Sequence, residues 1–311
     1  MVRRRHNYSR GMDTASLREW FLQHQRDLPW RHATTTPWQI LVSEFMLQQT
    51  PVARVIPAWE AWCDRWPTAK DLARASLGEV IAQWGKLGYP RRAKNLHRTA
   101  QAIVENHHGA VPSDVETLET LPGIGTYTAR AIACFAFGAA VPVVDTNVKR
   151  VVARAEDGDA DGGHWGAREG LERVDTVSVT KTDDDYCTTQ KALMELGALV
   201  CTARNPRCDE CPLATGCQWR ARGYPMSEAV LPRKQAKYEG SDRQARGVLL
   251  GFLREHPEPV HAEELLSMWS PRAQAERALE SLLADDLVEE HGLGDSRQIS
   301  LSWQPAHGRD E

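Results

Sequence analysis

Long apolar runs are missing from this sequence of 311 residues, and their absence argues against a membrane-spanning or secreted protein. No stretch approaches the roughly 18 uninterrupted apolar residues of a membrane span, and the N-terminal MVRRRHNYSRG lacks the apolar run of a secretory signal. The alternating pattern that is typical of strands is also missing before residue 220. We therefore expect a cytoplasmic, mostly helical protein.

Net positive charge is missing too, since the formal net charge is −4, which at first argues against nucleic acid as a partner. The two halves of the chain differ, however. Residues 1–155 carry 20 Lys and Arg against 13 Asp and Glu, a net +7, whereas residues 156–311 carry 18 against 29, a net −11. A basic half can attract phosphate, so DNA stays open as a partner and a nucleoid-associated location as an expectation.

The cysteines indicate a metal site, because an odd total of seven without an export signal argues against a disulfide framework. Four of them, Cys201, Cys208, Cys211 and Cys217, follow the spacing C-x6-C-x2-C-x5-C. Four clustered thiolates suit either a tetrahedral zinc or a [4Fe–4S] cluster, and the single C-x2-C favours the cluster without excluding zinc. The loop after the first cysteine carries Arg204 and Arg207, which can present positive charge to phosphate.

Helical patterns divide the chain. Ser16 with Glu19 predicts a capping box at the first helix, and further helices are expected over Pro37–Thr50 and Tyr127–Gly138. The turn LPGIG before the last of these leaves backbone N–H groups around Gly123 and Gly125 free for an anion such as a DNA phosphate. The predicted domains are a disordered basic arm at 1–12, a helical domain at 13–220 with the cysteine loop at 201–217, a linker at 221–240, a winged-helix-like domain at 241–305 and a tail at 306–311.

Two carboxylates stand in settings that suit glycosidic bond cleavage, which uses one protonated acid and one ionised carboxylate. Glu44 lies among apolar helix residues, a setting expected to raise its pKa and keep it protonated. Asp145 lies just before a helix start in VPVVDTNVKRV. Each also has a purely structural interpretation, as a solvated helix-face Glu and as an N-cap Asp, and the local sequence leaves both open.

Six motifs in order carry a resemblance to a known family: LVSEFMLQQT, LGYPRRAKNLH, LPGIGTYTA, VVDTNVKRV, LMELGALVC and the four-cysteine loop. They resemble the helix-hairpin-helix glycosylase superfamily, most closely its adenine-DNA glycosylase (MutY) branch, over roughly residues 14–220. The resemblance implies an all-α, two-lobed fold with the active site between the lobes and a [4Fe–4S] cluster. It also implies an enzyme that flips adenine, mispaired with 8-oxoguanine or guanine, out of double-stranded DNA.

The resemblance implies a chemical role for four residues. Glu44 matches the acid that protonates the adenine ring, and Asp145 matches the carboxylate that stabilises the sugar cation, with Asn147 orienting that site. Tyr127 falls where strand-cleaving relatives of the endonuclease III type carry a Schiff-base lysine. Without that amine nucleophile, a monofunctional hydrolase is expected.

Five further matches concern binding. Arg26 and Trp30 resemble residues that line the adenine pocket. Gln49 and Tyr89 match wedge residues that enter the base stack, and Leu47 lines the same surface.

Two departures from the family pattern affect specificity. Lys191 occupies the position where the family usually has Gln or Glu facing adenine. The family's C-terminal domain that reads 8-oxoguanine is not found after Cys217, so lesion recognition is expected from the catalytic domain or an altered C-terminal module. Two alternatives stay open: a thymine or uracil mismatch glycosylase, and a non-catalytic iron–sulfur DNA-binding protein. We expect a monomer whose acidic C-terminal module packs against the rest or recruits a protein partner.

Overall fold

The structure, a computed structural model, describes residues 11–178, 182–226 and 237–302. The predicted arm at 1–12 lies almost wholly outside these residues, as do the tail at 306–311 and the middle of the linker at 221–240. Helices dominate, as the all-α class predicts: α1 (Thr14–His24), α2 (Pro37–Leu47), α3 (Val52–Arg65), α4 (Ala69–Ala73), α5 (Leu77–Trp84), α6 (Arg91–His107), α7 (Val115–Glu119), α8 (Thr126–Phe137), α9 (Thr146–Val152), α10 (Ala167–Ser178), α11 (Asp183–Leu199), α12 (Gln218–Ala221), α13 (Asp242–Glu255), α14 (Ala262–Ser267) and α15 (Arg272–Ala284). Within the described ranges, none of them is long and apolar enough to cross a membrane.

Helix ends show where local prediction was imprecise. The predicted capping box at Ser16 is wrong: α1 begins at Thr14, and its N-cap is Asp13, whose Oδ1 accepts a hydrogen bond from the Ser16 amide at 3.0 Å. Helix α2 ends at Leu47 rather than Thr50, because Gln49 adopts a left-handed backbone with φ 56°.

Unit 1 comprises Met1–Leu28, Ser113–Glu116 and Gly125–Pro232. Its core forms where α1, α9 and α11 bury apolar side chains that recur at helical spacing: Leu17, Phe21, Val148, Val151, Val152, Leu193 and Leu196. The helix that carries Tyr127, α8, adds a second small core through Ala131 and Cys134. These helices position the Asp145 segment and the cysteine loop.

Unit 2 comprises Pro29–Pro112, Thr117–Ile124 and Arg233–Glu311. Its helical part is built around indole rings, with Trp62 lying edge-on to Trp66 at 4.7 Å and to Trp84 at 5.6 Å between ring centroids. Edge-to-face packing of this kind is favourable for large aromatic side chains. Helix α3, which carries Trp62, packs against α2, the helix that carries Glu44.

The C-terminal segment adds a three-stranded antiparallel sheet with the order β1-β3-β2, made of β1 (Val260–His261), β2 (Val288–His291) and β3 (Gln298–Leu301). Its helices bury Leu249, Leu253 and Leu279 in one core with Leu77 and Ile81 of α5. The predicted winged-helix-like segment at 241–305 therefore shares its core with the preceding helices.

Buried charge also joins this segment to α6. Asp285, at the end of α15, accepts hydrogen bonds from Arg246 at 2.6 Å and from Arg91. Lys94 donates to the Asp285 carbonyl and to Asp286, both at 2.7 Å. The acidic end of α15 thus packs against basic residues of the same unit.

Candidate active site and iron–sulfur loop

Asp145 is the N-cap of α9, and its carboxylate is held at both oxygens. Oδ1 accepts from the Val148 amide at 2.7 Å, and Oδ2 accepts from Asn147 Nδ2 at 2.9 Å. The N-cap interpretation and the catalytic one are therefore compatible, because capping orients a half-buried carboxylate that the helix N-terminus favours as an anion.

Arg150, one turn further along α9, extends this arrangement. Its Nη2 donates to Asn147 Oδ1 at 2.8 Å and to the Gly197 carbonyl at 2.7 Å, while Nε donates to the Cys201 carbonyl at 2.7 Å. A continuous hydrogen-bonded chain therefore runs from the Asp145 carboxylate to the first cysteine of the loop. Arg150 was not predicted from the sequence, because its partners in and just after α11 lie about 50 residues away in the chain.

Gly197 permits the close approach of α9 and α11. A Cβ atom at this position would lie 2.6 Å from Asn147 Cβ and 3.0 Å from its carbonyl oxygen. Both separations are far below ordinary contact distances, so a side chain here would displace Asn147. The glycine in LMELG is thus a packing requirement of the Asp145 site.

Glu44 lies on α2 and is only 6% exposed. Its neighbours along the helix, Leu41, Val42 and Phe45, are fully buried or nearly so. The solvated helix-face interpretation is therefore wrong, because the Glu44 side chain is almost completely buried. Removal from bulk water is one of the features that suit a carboxyl group to proton donation.

Arg26 forms a two-pronged ion pair with Glu195 of α11. Nε and Nη2 donate to the two carboxylate oxygens at 2.9 and 2.8 Å, and the Arg26 amide adds a third bond at 2.8 Å. Glu195 is fully buried, and its hydrogen bond raises the pKa of Arg26. Sequence analysis missed Glu195, and the predicted pocket residue Arg26 is held by it.

Trp30, predicted beside Arg26 in the adenine pocket, belongs to unit 2 and is buried. Its ring lies edge-on to Trp59 at 5.9 Å between centroids. The exposed residues of the same unit include Gln49 and Tyr89, while Leu47 is half-buried. Both predicted wedge residues therefore lie on the surface.

The glycine turn precedes α8, as predicted. Gly123 has φ 76°, and a Cβ there would meet Asn95 at 2.7 Å, so both backbone and space require glycine. Gly125 is the exposed N-cap of α8, with nothing near its missing side chain. Tyr127 follows in the first turn and packs against the small core of α8. The exposed N-terminus of this 12-residue helix suits an anion.

The four loop cysteines line one cavity together with Arg154, Trp219 and Arg220. Among the described residues, no three His, Cys, Asp or Glu side chains converge as ligands of a single ion. A cubane cluster binds each thiolate at a separate iron, so its ligands stand further apart than those of one zinc. Burial raises the pKa of the Cys211 thiol to about 12, so positive charge from bound metal or a nearby side chain is needed to stabilise its thiolate.

Arg154 supplies such charge from a position that sequence analysis missed. Its guanidinium is 4% exposed, lies 4.2 Å from the Trp219 ring centroid, and donates through Nη1 to Cys201 Sγ at 3.4 Å and to the Thr202 carbonyl at 2.8 Å. A buried cation beside four thiolates offsets their negative charge. The donor set and its surroundings fit an iron–sulfur cluster.

The two loop arginines differ in their surroundings. Arg204 is exposed. Arg207 forms an ion pair with Glu210 at 2.8 Å and donates to the Leu199 carbonyl at 2.7 Å. Its charge is therefore partly balanced within the loop, whereas the exposed position of Arg204 suits phosphate contact.

Lys191 is half-buried on α11, with Nζ 5.8 Å from the centroid of the Phe135 ring. The two remaining buried thiols of unit 1, Cys134 and Cys187, lie near it and 2.7 Å from each other. The Lys191 ammonium group therefore forms a cation–π contact with the Phe135 ring.

Two family models match the chain. One, described as HhH-GPD superfamily base excision DNA repair protein, matches residues 42–164, and the other, the iron-sulfur binding domain of endonuclease III, matches residues 201–217. The second match covers the four cysteines and decides between the two metals left open by their spacing. The cofactor is a [4Fe–4S] cluster.

Curated relatives cover nearly the whole chain. An adenine DNA glycosylase of Mycolicibacterium smegmatis is 54% identical over 94% of this chain and 97% of that protein. One from Mycobacterium tuberculosis is 52% identical over 90% and 91%. The human adenine DNA glycosylase is 42% identical over 67% of this chain and 39% of its own length.

Solved structures agree on the fold. A thermostable thymine-DNA glycosylase superposes with a TM-score of 0.60 at 25% identity over 67% of this chain and 95% of its own. An endonuclease III–DNA covalent intermediate superposes with a TM-score of 0.58 at 22% identity over 68% and 95%. The helix-hairpin-helix glycosylase fold is therefore confirmed.

Proposed function

Because the chain belongs to the adenine DNA glycosylase family, whose members are base-excision repair enzymes acting on N-glycosyl bonds, we propose that it releases adenine mispaired with 8-oxoguanine or guanine. Membership of this family makes DNA its partner and hydrolysis of the glycosidic bond its reaction. The proposal adds the mispair and the residues that act.

The orientation of Asp145 carries the proposal. Cleaving the glycosidic bond develops positive charge on the sugar, which a fixed, ionised carboxylate stabilises. The Val148 amide and the Asn147 amide group hold the two oxygens of Asp145, while Arg150 holds Asn147 in turn. This support means that little reorientation is needed as the charge develops.

Glu44 is assigned the complementary role. Adenine leaves readily only when its ring is protonated, and a buried carboxyl group can carry the required proton. The near-complete burial of Glu44 supports that role. One carboxyl group then donates a proton while the other stays ionised.

Tyr127 supports hydrolysis without strand cleavage. Strand cleavage by a Schiff base requires a neutral amine at the sugar carbon, and a phenol cannot form that covalent intermediate. We assign Tyr127 to substrate contact at the start of α8, beside the glycine turn that suits a DNA phosphate. The product is then an abasic site in an intact strand.

The cluster has a supporting role in this proposal. With four thiolates already bound, a [4Fe–4S] cluster has no open position for substrate, so when bound it fixes the loop. Arg204, exposed on that loop, is assigned to phosphate contact. Arg150 on α9 and Arg154 just after this helix both donate hydrogen bonds to the first cysteine of the same loop.

The organisation of the chain and its further partners are also part of the proposal. We assign 13–220 to catalysis and cluster binding, and 241–305 to a C-terminal module whose exposed acidic residues on α15, among them Glu276 and Glu280, suit a protein partner better than DNA. The enzyme acts as a monomer on chromosomal DNA in the cytoplasm.

Adenine release under single-turnover conditions tests the function, using duplexes with adenine opposite 8-oxoguanine or guanine and with G·T and G·U mispairs. We expect release from the adenine duplexes alone. Glu44→Gln and Asp145→Asn should each lower the rate by at least about 100-fold, as expected for acid–base and electrostatic catalysis. Glu60→Gln, an exposed position on α3, is the matched control. Unchanged release by Glu44→Gln would refute its role, and release of thymine or uracil instead would refute the adenine assignment.

A further inference from the structure

Two loops of unit 2 present exposed side chains on an unfavourable backbone. Gln49, between α2 and α3, has φ 56°, and Tyr89, just before α6, has φ 48°. Residues with side chains rarely adopt this left-handed conformation unless surrounding contacts impose it. Tyr89 is 43% exposed, which is high for an aromatic ring on a constrained turn. Contacts with other side chains must therefore stabilise the backbone conformation of both loops.

Arg92, on the first turn of α6, donates hydrogen bonds to residues beside both loops. Its Nη1 donates to the carbonyls of Phe45, Met46 and Gln48 at 3.0, 2.9 and 2.6 Å. Its Nη2 donates on the other side, to Thr50 Oγ1 at 2.9 Å and to the carbonyls of Leu87 and Gly88 at 3.3 and 2.9 Å. One side chain therefore joins the residues that flank Gln49 to those that precede Tyr89.

The guanidinium is suited to this position for a physical reason. Helix α2 and the short 3-10 turn Gly85–Leu87 both end here, and the last carbonyls of a helix lack partners within it. They also carry partial negative charge, which favours a cation. The planar, forked donors of Arg92 satisfy several such carbonyls at once, whereas an ammonium group is a single point of charge.

Arg92 differs from an ordinary surface arginine in its burial and in the kind of groups it binds. It is 8% exposed, and its six acceptors are five carbonyls and one hydroxyl rather than a carboxylate. Its guanidinium carbon lies 5.1 Å from the Trp84 ring centroid and 5.6 Å from that of Tyr89. Burial lowers its pKa to about 10, so it stays charged at neutral pH. Among the residues that the structure describes, this buried arginine has no anionic partner, and it lies at the junction of these two loops.

We propose that Arg92 is a positioning residue for base extrusion, which holds Gln49 and Tyr89 in the orientation in which they enter the base stack. This inference rests on the proposed function, and it gives these two residues the wedge role that the resemblance predicts. A base leaves the duplex only if the unstacking energy is repaid, and rigidly held wedge side chains repay it without losing conformational freedom. Arg92 acts through the two loops and has no part in the bond cleavage itself.

Three variants of graded severity test the proposal. Arg92→Met removes the donors, Arg92→Lys keeps the charge but not the fork, and Thr50→Val removes a single acceptor. The control is Arg254→Met, which removes a half-buried arginine of unit 2, one that donates to the Ile81 carbonyl at 3.1 Å. Thermal unfolding is measured for all four, so that loss of stability can be compared with loss of function.

The readouts separate extrusion from chemistry. A 2-aminopurine placed beside the target adenine reports unstacking by its fluorescence, and single-turnover release of adenine reports the complete reaction. We expect Arg92→Met to slow the fluorescence change and adenine release together, by about 10- to 100-fold, as misplacement on the order of 1 Å can do. Arg92→Lys should recover part of the loss, and Thr50→Val should show a smaller loss of the same kind.

A double-mutant comparison distinguishes positioning from a general structural role. In a protein that already carries Gln49→Ala and Tyr89→Ala, adding Arg92→Met should slow release less than about twofold, because the side chains it positions are gone. The same added loss in both backgrounds would overturn the inference, as would a loss in Arg254→Met equal to that in Arg92→Met at matched stability. Wild-type rates for the Gln49→Ala, Tyr89→Ala protein would also overturn it. Failure of the proposed function looks different, since the wild-type protein would then release no adenine.

Discussion

Substituting Gly197 by alanine should slow adenine release strongly while lowering the free energy of unfolding only slightly. The new Cβ would lie 2.6 Å from Asn147 Cβ, where ordinary contact is about 3.5–4.0 Å, so Asn147 must move by roughly 1 Å. Overpacking of this kind costs about 1–3 kcal/mol, while alanine is favoured over glycine in a helix by roughly 1 kcal/mol. The net loss in the free energy of unfolding should therefore be at most about 2 kcal/mol.

The effect on the reaction should be much larger. Asn147 donates to Asp145 Oδ2 at 2.9 Å, so moving it reorients the carboxylate. A displacement of about 1 Å at a reacting group can cost on the order of 100-fold in rate, and we expect single-turnover adenine release to fall by that factor. Gly251→Ala is the control, because this helical glycine has open space around it and the change should preserve the rate. A Gly197→Ala protein that releases adenine at the wild-type rate would refute the packing argument.

Three further perturbations have defined outcomes. Glu195→Gln should lower the free energy of unfolding by about 1–3 kcal/mol in urea denaturation, because it breaks a buried ion pair whose partner Arg26 remains partly solvated; an unchanged value would contradict the pairing. Burial opposes ionisation of Asp285, but its two arginine partners outweigh that effect and lower the pKa of this carboxyl. The ionised Asp285 should therefore contribute its full stabilisation above the ordinary pKa of an Asp, near 4, and lose it as the pH falls through the lowered pKa of the folded state. Asp285→Asn should remove that part of the acid dependence of unfolding. Cys208→Ser should weaken cluster retention, stability and DNA affinity before it changes the single-turnover rate at saturating protein; a loss confined to the chemical step would contradict a supporting role for the cluster.

Features that depend on neighbours in the chain were predictable. The cysteine spacing, the glycine turn before α8 and the helical periodicity around Glu44 each appear within a window of about 20 residues, because helices and ligand loops are local structures. The position of Asp145 as an N-cap was predictable for the same reason. Errors in these features were confined to helix ends, such as the cap of α1, where Asp13 competes with Ser16 for the same role.

The supporting contacts were not predictable, because they join residues with no pattern between them. Arg26 meets Glu195 across 169 positions, and Arg92 meets the end of α2 across more than 40. Each of these side chains is charged, and composition alone assigns charged residues to the surface. Their burial follows only when tertiary packing brings unsatisfied carbonyls or a carboxylate to the same place.

The sequence by itself determined the groups to which we assign the chemistry: the acid, the carboxylate, the four thiols and the glycine turn. Tertiary structure alone decided how these groups are held, through the Asn147, Arg150 and Arg154 contacts around the cluster loop and through Arg92 beneath the two exposed loops. The reason is that residue identity and spacing set chemical capacity and local helix structure. Orientation depends on hydrogen bonds to atoms that only the folded chain brings together.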